Sequence, residues 1–370
     1  IRSCLVGSEM CIRDSKIHTL MLVHASFRLN GRAFKRNALD LAAQQWADSA
    51  DEDQQALGYF LINWLSEYEY IALHTSGSTG KPKEIHMPKT AMYTSAVRTA
   101  TFFNLSAGDS ALLCLPIRYI AGKMMLVRAL VLGLNLDIKP PKTKLHIEKN
   151  YSFTALIPSQ ANALFDSLGK FKTVLIGGAP IPSELRKRIG KTYSHCVETY
   201  GMTETLTHVA ARTILDADKP FKAMPGIGFS TDENGCLVIE APYLPLSPVV
   251  TQDLVSLEGN GNFKLLGRRD WVINSGGIKI FPETLEVILA PYMKFPFFFT
   301  AMPDAELGEK LVLLAEAPAS KKGTIMTIAR QHLGKNKYHI PKAVVCITNF
   351  KFTSTGKLDR IASQKVAMGT

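Results

Sequence analysis

Tyr70-Ile71-Ala72-Leu73, then His74 and the run Thr75-Ser76-Gly77-Ser78-Thr79-Gly80-Lys81-Pro82-Lys83, is the stretch on which the fold turns. The apolar tetrapeptide predicts a buried strand, and small or hydroxylated residues then crowd one short loop. Glycine tolerates φ > 0 and lets the backbone approach a ligand closely. Successive backbone N–H groups in such a loop form a concave nest for phosphate oxygens. The Ser and Thr hydroxyls add donors, and Lys81 and Lys83 add positive charge. The loop is not of the Walker A type, which requires Gly where this chain has Thr75 and Ser or Thr where it has Pro82. A flexible Gly/Ser linker is the plainer alternative. A strand directly before the loop and lysines directly after it favour phosphate binding.

Outward from this loop, strand and helix signals alternate. Upstream, residues 37–66 carry two apolar stripes at helical spacing: Leu39, Leu41, Ala42 and Trp46, then Leu57, Phe60, Leu61, Trp64 and Leu65. Downstream, the pattern predicts a helix over 89–103 closed by Asn104, a strand over 111–115 and a helix over 121–132 capped by Gly133. A strand over 153–157 and a helix over 159–168 follow. A strand over 173–176 then runs into Gly177-Gly178-Ala179-Pro180, and Pro182 opens a helix to residue 189. Strands spaced by helices imply parallel pairing. Ligands in such sheets gather beyond the strands' carboxyl ends, where both glycine-containing loops fall. From Pro225, short strand-like runs (236–240, 263–266) alternate with Pro and Gly turns, and Gly267-Arg268-Arg269-Asp270 marks a boundary. Beyond it, helix signals at 282–290 and 325–333 mix with strands at 297–301, 311–315 and 343–348. The predicted fold class is therefore α/β: a large N-terminal domain over 16–266, with mostly parallel sheets and flanking helices, and a small α+β C-terminal domain over 267–370. Residues 1–15 fit no pattern and read as a translated scar.

The 370 residues contain 43 Lys and Arg against 32 Asp and Glu, a formal net charge of +11. Such an excess suits nucleic acid or anionic small molecules. The cations are scattered without a dense basic block, which favours anionic substrates over nucleic acid. No apolar run reaches the roughly 18 residues of a membrane span; the nearest, at 294–302, is far too short. Residues 1–15 lack the long apolar segment of a signal peptide. Cys4, Cys11, Cys114, Cys196, Cys236 and Cys346 form no C-x-x-C pair and no histidine cluster accompanies them. That argues against zinc and against a disulfide framework, and predicts reduced thiols in a cytoplasmic protein. The sequence leaves the assembly state open, a homodimer included.

Four further clusters bear chemistry. In Tyr200-Gly201-Met202-Thr203-Glu204-Thr205 the tyrosine ring can stack on a base and Thr203 offers a hydroxyl to a phosphate. Glu204 offers hard oxygen for Mg²⁺, which typically uses one or two carboxylates plus substrate phosphates. An ordinary turn with a capping acid accounts for the same residues. Thr251-Gln252-Asp253-Leu254 supplies an acid suited to a ribose diol. Gly267-Arg268-Arg269-Asp270 is followed by Gly276-Gly277 and Phe281-Pro282-Glu283. Thr353-Ser354-Thr355-Gly356-Lys357-Leu358-Asp359-Arg360 lies near the chain end, where a solvated basic tail is the alternative.

Together and in this order, the five stretches resemble the acyl-adenylate-forming superfamily of acyl-CoA ligases, firefly-type luciferases and peptide-synthetase adenylation domains. The resemblance runs from about Ile71 to the end. It implies that Thr75, Ser76, Gly77, Ser78, Thr79, Gly80 and Lys81 hold the β- and γ-phosphates of ATP. It implies that Gly178 and Ala179 border the adenine and the acyl group, that Tyr200 packs on adenine, that Thr203 touches the α-phosphate and that Glu204 holds Mg²⁺. Asp253 and Arg268 would bind the ribose hydroxyls. Asp270 would be the hinge of a mobile C-terminal lid, and Gly276 and Gly277 would line the path of the CoA thiol. Lys357 would bridge the carboxylate and the α-phosphate during adenylation. The chemistry agrees: a carboxylate attacking an α-phosphate brings two anions together, and positive charge placed where charge develops lowers that barrier. Holding the reactants in line removes much of the entropic cost. Three positions depart from the superfamily pattern, with Gln252 in place of a usual Gly, Trp271 of an acid and Asn274 of a Lys. The glycine loop also begins near residue 75, which implies a reduced N-terminal subdomain.

Within the superfamily, Leu115-Pro116-Ile117-Arg118-Tyr119-Ile120-Ala121-Gly122-Lys123 and Ile176-Gly177-Gly178-Ala179-Pro180-Ile181-Pro182 look most like the o-succinylbenzoate–CoA ligases of menaquinone biosynthesis. That substrate carries two carboxylates, one to be activated and one to be held. Arg118 and Lys123 flank the segment that borders the acyl pocket in relatives, and a cation there suits the second carboxylate. Solvent-facing side chains paired with local acids are the alternative. Ligases for other aryl or fatty acids, carrier-protein-loading adenylation domains and a degenerate nucleotide-binding scaffold share parts of the same pattern.

Overall fold

A computed structural model describes residues 22–74, 84–215, 219–259, 261–352 and 358–369. The expectations placed on residues 1–15, on the glycine loop at 75–83 and on Lys357 fall outside the described residues. The chain divides into two compact units: among the described residues, the first holds 22–74, 84–155 and 170–173, and the second holds 156–169 and those from 174 onward.

The first unit opens with a short antiparallel pair, β1 (Arg28–Leu29) and β2 (Arg32–Ala33), and two helices, α1 (Arg36–Ala47) and α2 (Glu52–Leu65). Asp51 caps α2 by accepting from the Gln54 N–H at 2.8 Å, satisfying a donor that the helix start leaves free. The predicted stripe on α2 is buried as read, but on α1 the buried line is Leu39, Ala43 and Ala47, and Leu41 is 62% exposed. Positions i, i+4 and i+8 share one face, and residue 41 sits off it.

The strand expected at 70–73 is β3 (Tyr70–His74), and it pairs antiparallel with β4 (Glu84–Pro88) in a two-stranded hairpin. It is not fully buried: Ile71 and Leu73 point inward while Tyr70, Ala72 and His74 face out. Alternation of this kind is the mark of a half-exposed antiparallel strand. Next come α3 (Lys89–Phe103), β5 (Ser110–Leu113), α4 (Ile120–Leu132), β6 (Asn135–Ile138) and β7 (Tyr151–Leu156). Asn104 and Gly133, both left-handed, close α3 and α4 as the sequence predicts. β5 lies parallel to both β6 and β7, and β1 is parallel to β6.

In the second unit, α5 (Pro158–Ala163) is one turn shorter than expected and gives way to a 3₁₀ turn. Val174, Leu175 and Ile176 of β8 (Phe171–Ile176) pair in parallel with Cys196, Val197 and Glu198 of β9 (Cys196–Gly201), with α6 (Ser183–Thr192) between them in sequence. β10 (His208–Thr213) and β11 (Lys222–Ala223) then add antiparallel. A four-stranded antiparallel sheet follows in chain order: β12 (Gly228–Thr231), β13 (Cys236–Glu240), β14 (Val249–Glu258) and β15 (Asn262–Arg268).

The last segment contains β16 (Ile273–Ser275), β17 (Ile278–Ile280), α7 (Pro282–Leu289), β18 (Phe297–Asp304), β19 (Gly308–Glu316), α8 (Lys322–Leu333), β20 (Ala343–Ile347) and α9 (Arg360–Met368). Its five strands form one sheet, ordered β17-β16-β19-β18 with β20 parallel on β19. Ile280, Leu285, Leu289, Phe299, Leu313 and Ile325 belong to a hydrophobic core of its own. Among the described residues, no helix is long and apolar enough to cross a membrane. The four described cysteines are free thiols, and burial pushes Cys114 up to about 12, where it is inert as a nucleophile.

Candidate functional site

β8 and β9 end side by side, and their carboxyl ends bring two of the expected stretches together. Gly177 follows β8, and a Cβ there would stand 2.4 Å from Thr199 Oγ1, so glycine lets this loop press on β9 one residue before Tyr200. Gly178 takes φ +80° and carries the chain on to Ala179. This is where a parallel α/β sheet gathers ligands.

Tyr200 is clamped by aromatics. Its ring meets Phe263 edge-on at 5.1 Å and Phe221 at 5.9 Å, and Phe221 stacks on Phe263 at 5.3 Å. Its hydroxyl donates to Asp253 Oδ2 at 2.5 Å. Burial, reinforced by the Asp253 carboxylate, pushes the Tyr200 phenol far above its ordinary range, so it stays a donor. Asp253 on β14 lies opposite Arg268 on β15, and this register sets Arg268 Nη1 3.3 Å from Asp253 Oδ1. The other prong, Nη2, donates to Asp270 Oδ2 at 2.7 Å. The Asp253 N–H donates to Thr251 Oγ1 at 3.0 Å, which fixes the backbone beneath the carboxylate. Tyr200, Asp253 and the neighbouring Arg268 and Asp270, drawn from three stretches of the sequence, thus form one connected polar chain.

Past Tyr200 a 3₁₀ turn, Thr203–Thr205, is held by the buried Thr205 hydroxyl, which accepts from the Met202 N–H at 3.0 Å and lies 2.9 Å from the Thr207 carbonyl. Leu206 ends the turn at φ +66°. Thr203 is half-buried and Glu204 exposed. Among the described residues, no group of three or more His, Cys, Asp or Glu could hold a metal ion.

Sequence reading missed the support beneath Tyr200. Glu198, two residues earlier on β9 and buried, accepts from Arg186 Nη2 at 2.7 Å and Arg212 Nε at 2.6 Å. Burial pushes Glu198 up, but the two guanidiniums outweigh it and hold its carboxyl below the usual range. Arg212 in turn covers the Phe221 ring at 4.2 Å. No local pattern marks these residues, because their partners come from other elements.

The remaining expected residues are placed as follows. Gly276 and Gly277, at φ +58° and +80°, make the two-residue turn joining β16 and β17, a turn type that needs left-handed backbone at both positions. In the first unit, Arg118 is exposed and stands 3.5 Å from Glu52. Lys123, in the first turn of α4, is half-buried, and burial lowers its pKa.

The fold and this cluster define a class: an α/β protein in which Tyr200 near the end of β9, Asp253 within β14 and Arg268 at the end of β15 meet through hydrogen bonds. Residues 10–248 match the family described as AMP-binding enzyme, and the chain belongs to that family. The match begins inside the stretch that reads as a scar. A 2-succinylbenzoate–CoA ligase of Salmonella typhimurium is 27% identical over 289 residues, covering 74% of this chain and 63% of that protein, so this chain spans less than two thirds of that relative. An acyl-CoA synthetase (AMP-forming)/AMP-acid ligase II-like protein from Dyadobacter fermentans is similar in structure at a TM-score of 0.57 and 31% identity, over 89% of this chain and 98% of that one. The o-succinylbenzoate CoA synthetase of Bacillus subtilis, solved with its acyl-adenylate intermediate, shares the fold at a TM-score of 0.75 and 16% identity, over 94% and 97% of the two chains.

Proposed function

We propose that this protein activates a carboxylic acid with ATP, forming an acyl-adenylate and diphosphate, and passes the acyl group to the thiol of CoA with release of AMP. The connected chain Tyr200–Asp253–Arg268–Asp270 carries this reading, because it unites residues of three separate motifs in one hydrogen-bonded arrangement. In this reading Tyr200 packs on adenine, Gly178 and Ala179 border it, Asp253 and Arg268 hold the ribose, and Thr203 meets the α-phosphate. The loop from Thr75 to Lys81 holds the outer phosphates and Lys357 bridges the acid and the α-phosphate. Glu204 would hold Mg²⁺, which when bound neutralises phosphate charge. The segment from residue 267 onward acts as the lid, with Asp270 at its hinge and Gly276-Gly277 beside the thiol path.

The acid we favour is o-succinylbenzoate, giving o-succinylbenzoyl-CoA. Family membership and the names of relatives such as the Salmonella ligase support it, and the half-buried Lys123 offers a cation for the second carboxylate. ATP–diphosphate exchange over a panel of acids, with and without CoA, tests the reading. Exchange driven by the diacid and CoA-dependent AMP release are the expected results. No exchange with any acid overturns it. Exchange without CoA turnover points instead to a carrier-protein acceptor.

A further inference from the structure

We infer that the Tyr200 hydroxyl is a positioning group for ribose recognition, acting through Asp253, separately from any stacking by its ring. This rests on the nucleotide reading of the site and assigns the residue a second task. The Asp253 carboxylate has two oxygens, and among the described residues each meets one side-chain donor: Tyr200 Oη donates to Oδ2 at 2.5 Å and Arg268 Nη1 donates to Oδ1 at 3.3 Å. A carboxylate oxygen has two lone pairs, so one remains on each for a ligand. Two neighbouring lone pairs in a fixed plane match the two hydroxyls of a ribose diol. The plane is set from both sides, because the ring that carries the hydroxyl is itself clamped by Phe263 and Phe221. The backbone of Asp253 is tied to Thr251 in addition. Without the phenol, one carboxylate oxygen loses its anchor and Asp253 can turn toward Arg268, whose guanidinium still holds the other oxygen. The ring of a phenylalanine would still fill the aromatic slot. The hydroxyl and the ring are therefore separable by one atom.

The test compares Tyr200→Phe with the unaltered chain, using ATP, 2′-deoxy-ATP and 3′-deoxy-ATP as titrants and calorimetric Kd beside exchange kinetics. The unaltered chain should bind ATP more tightly than at least one deoxy analogue. In Tyr200→Phe that preference should shrink by roughly tenfold, the scale of one hydrogen bond to a charged group, with most of the change in ATP affinity. Tyr200→Leu, which removes ring and hydroxyl, should weaken all three nucleotides. Adding Tyr200→Phe to Asp253→Asn should produce no further loss of preference, because the group it orients is already altered. The inference is overturned if Tyr200→Phe keeps the full preference for ATP, or weakens all three nucleotides by one common factor. If the unaltered chain binds no nucleotide, it is the nucleotide reading itself that fails.

Discussion

Arg360 and Glu286 are locked by two parallel hydrogen bonds, Nη1 to Oε1 at 2.8 Å and Nη2 to Oε2 at 2.6 Å. The pair fastens the first residue of α9 to the middle of α7, and both side chains are only 17% exposed. Glu286 Oε1 also accepts from the Phe299 N–H, and the guanidinium covers Phe298 at 5.2 Å. Breaking such a pair strands a carboxylate in a poorly solvated place. Arg360→Met should therefore cost about 3 kcal/mol, near the lower end for a buried pair. Chemical denaturation measures it, and the double variant Glu286→Gln/Arg360→Met should recover part of the loss. A cost below about 0.5 kcal/mol, typical of a surface pair, contradicts this.

Gly201 sits where β9 passes close under the next strand. A Cβ there would stand 2.2 Å from the Thr207 carbonyl oxygen and 2.6 Å from His208 Cα, both backbone atoms with little room to yield. Gly201→Ala should lower stability by about 1–3 kcal/mol through overpacking. It should also shift the turn that carries Thr203 and Glu204, reducing exchange activity per folded molecule. Gly323, in α8, meets nothing within 4 Å, so Gly323→Ala should stabilise by up to about 1 kcal/mol. Thermal melts of both variants check the contrast.

What the sequence made legible was what local chemistry decides. The caps at Asn104 and Gly133, the helix over 89–103 and the strand over 236–240 stand as read. β9 was not legible, because Cys196–Gly201 mixes in Glu198 and Thr199, whose polar groups are satisfied by Arg186, Arg212 and Ile176 from elsewhere in the chain. No strand was read over β14, Val249–Glu258, for a similar reason: the polar Asp253 within it is satisfied by Tyr200 and Arg268 from other strands. Tyr200, Asp253, Arg268 and Asp270 could each be named from local motifs, but their meeting in one hydrogen-bonded cluster and the aromatic clamp of Phe221 and Phe263 on Tyr200 belong to the tertiary fold alone.

Lys89 gives a pH signature. Its side chain is buried at the start of α3 and Nζ donates to the Ser66 carbonyl at 2.8 Å. Burial, reinforced by the nearby Arg36 charge, lowers its pKa to about 8 from an ordinary 10.5. Between these values the unfolded chain binds more protons than the folded one, so stability should rise as pH climbs from about 8 to 10.5. Below pH 8 the lysine is charged in both states and contributes no slope. Lys89→Met should flatten the rise in denaturation midpoints across that window. An unchanged slope in the variant means that another group is responsible.

The two candidate cations for a second carboxylate can be told apart by their surroundings. Arg118 has a side chain 54% exposed and an acidic neighbour, Glu52, at 3.5 Å. Its charge is largely met by water and by that partner, so a ligand gains little from it. Lys123 is half-buried and its charged form is disfavoured by burial. An anion arriving there would meet an ammonium short of solvent, where attraction is stronger than in water. Lys123→Met should raise KM for o-succinylbenzoate by roughly tenfold or more, the scale of a hydrogen bond between charged groups. The KM for a monocarboxylate analogue such as benzoate should stay near its starting value in the same variant. Arg118→Ala should change either KM by less than about threefold, the most that an exposed pair supplies. The opposite ranking assigns the carboxylate to Arg118, and two flat responses place the acyl pocket away from this helix start.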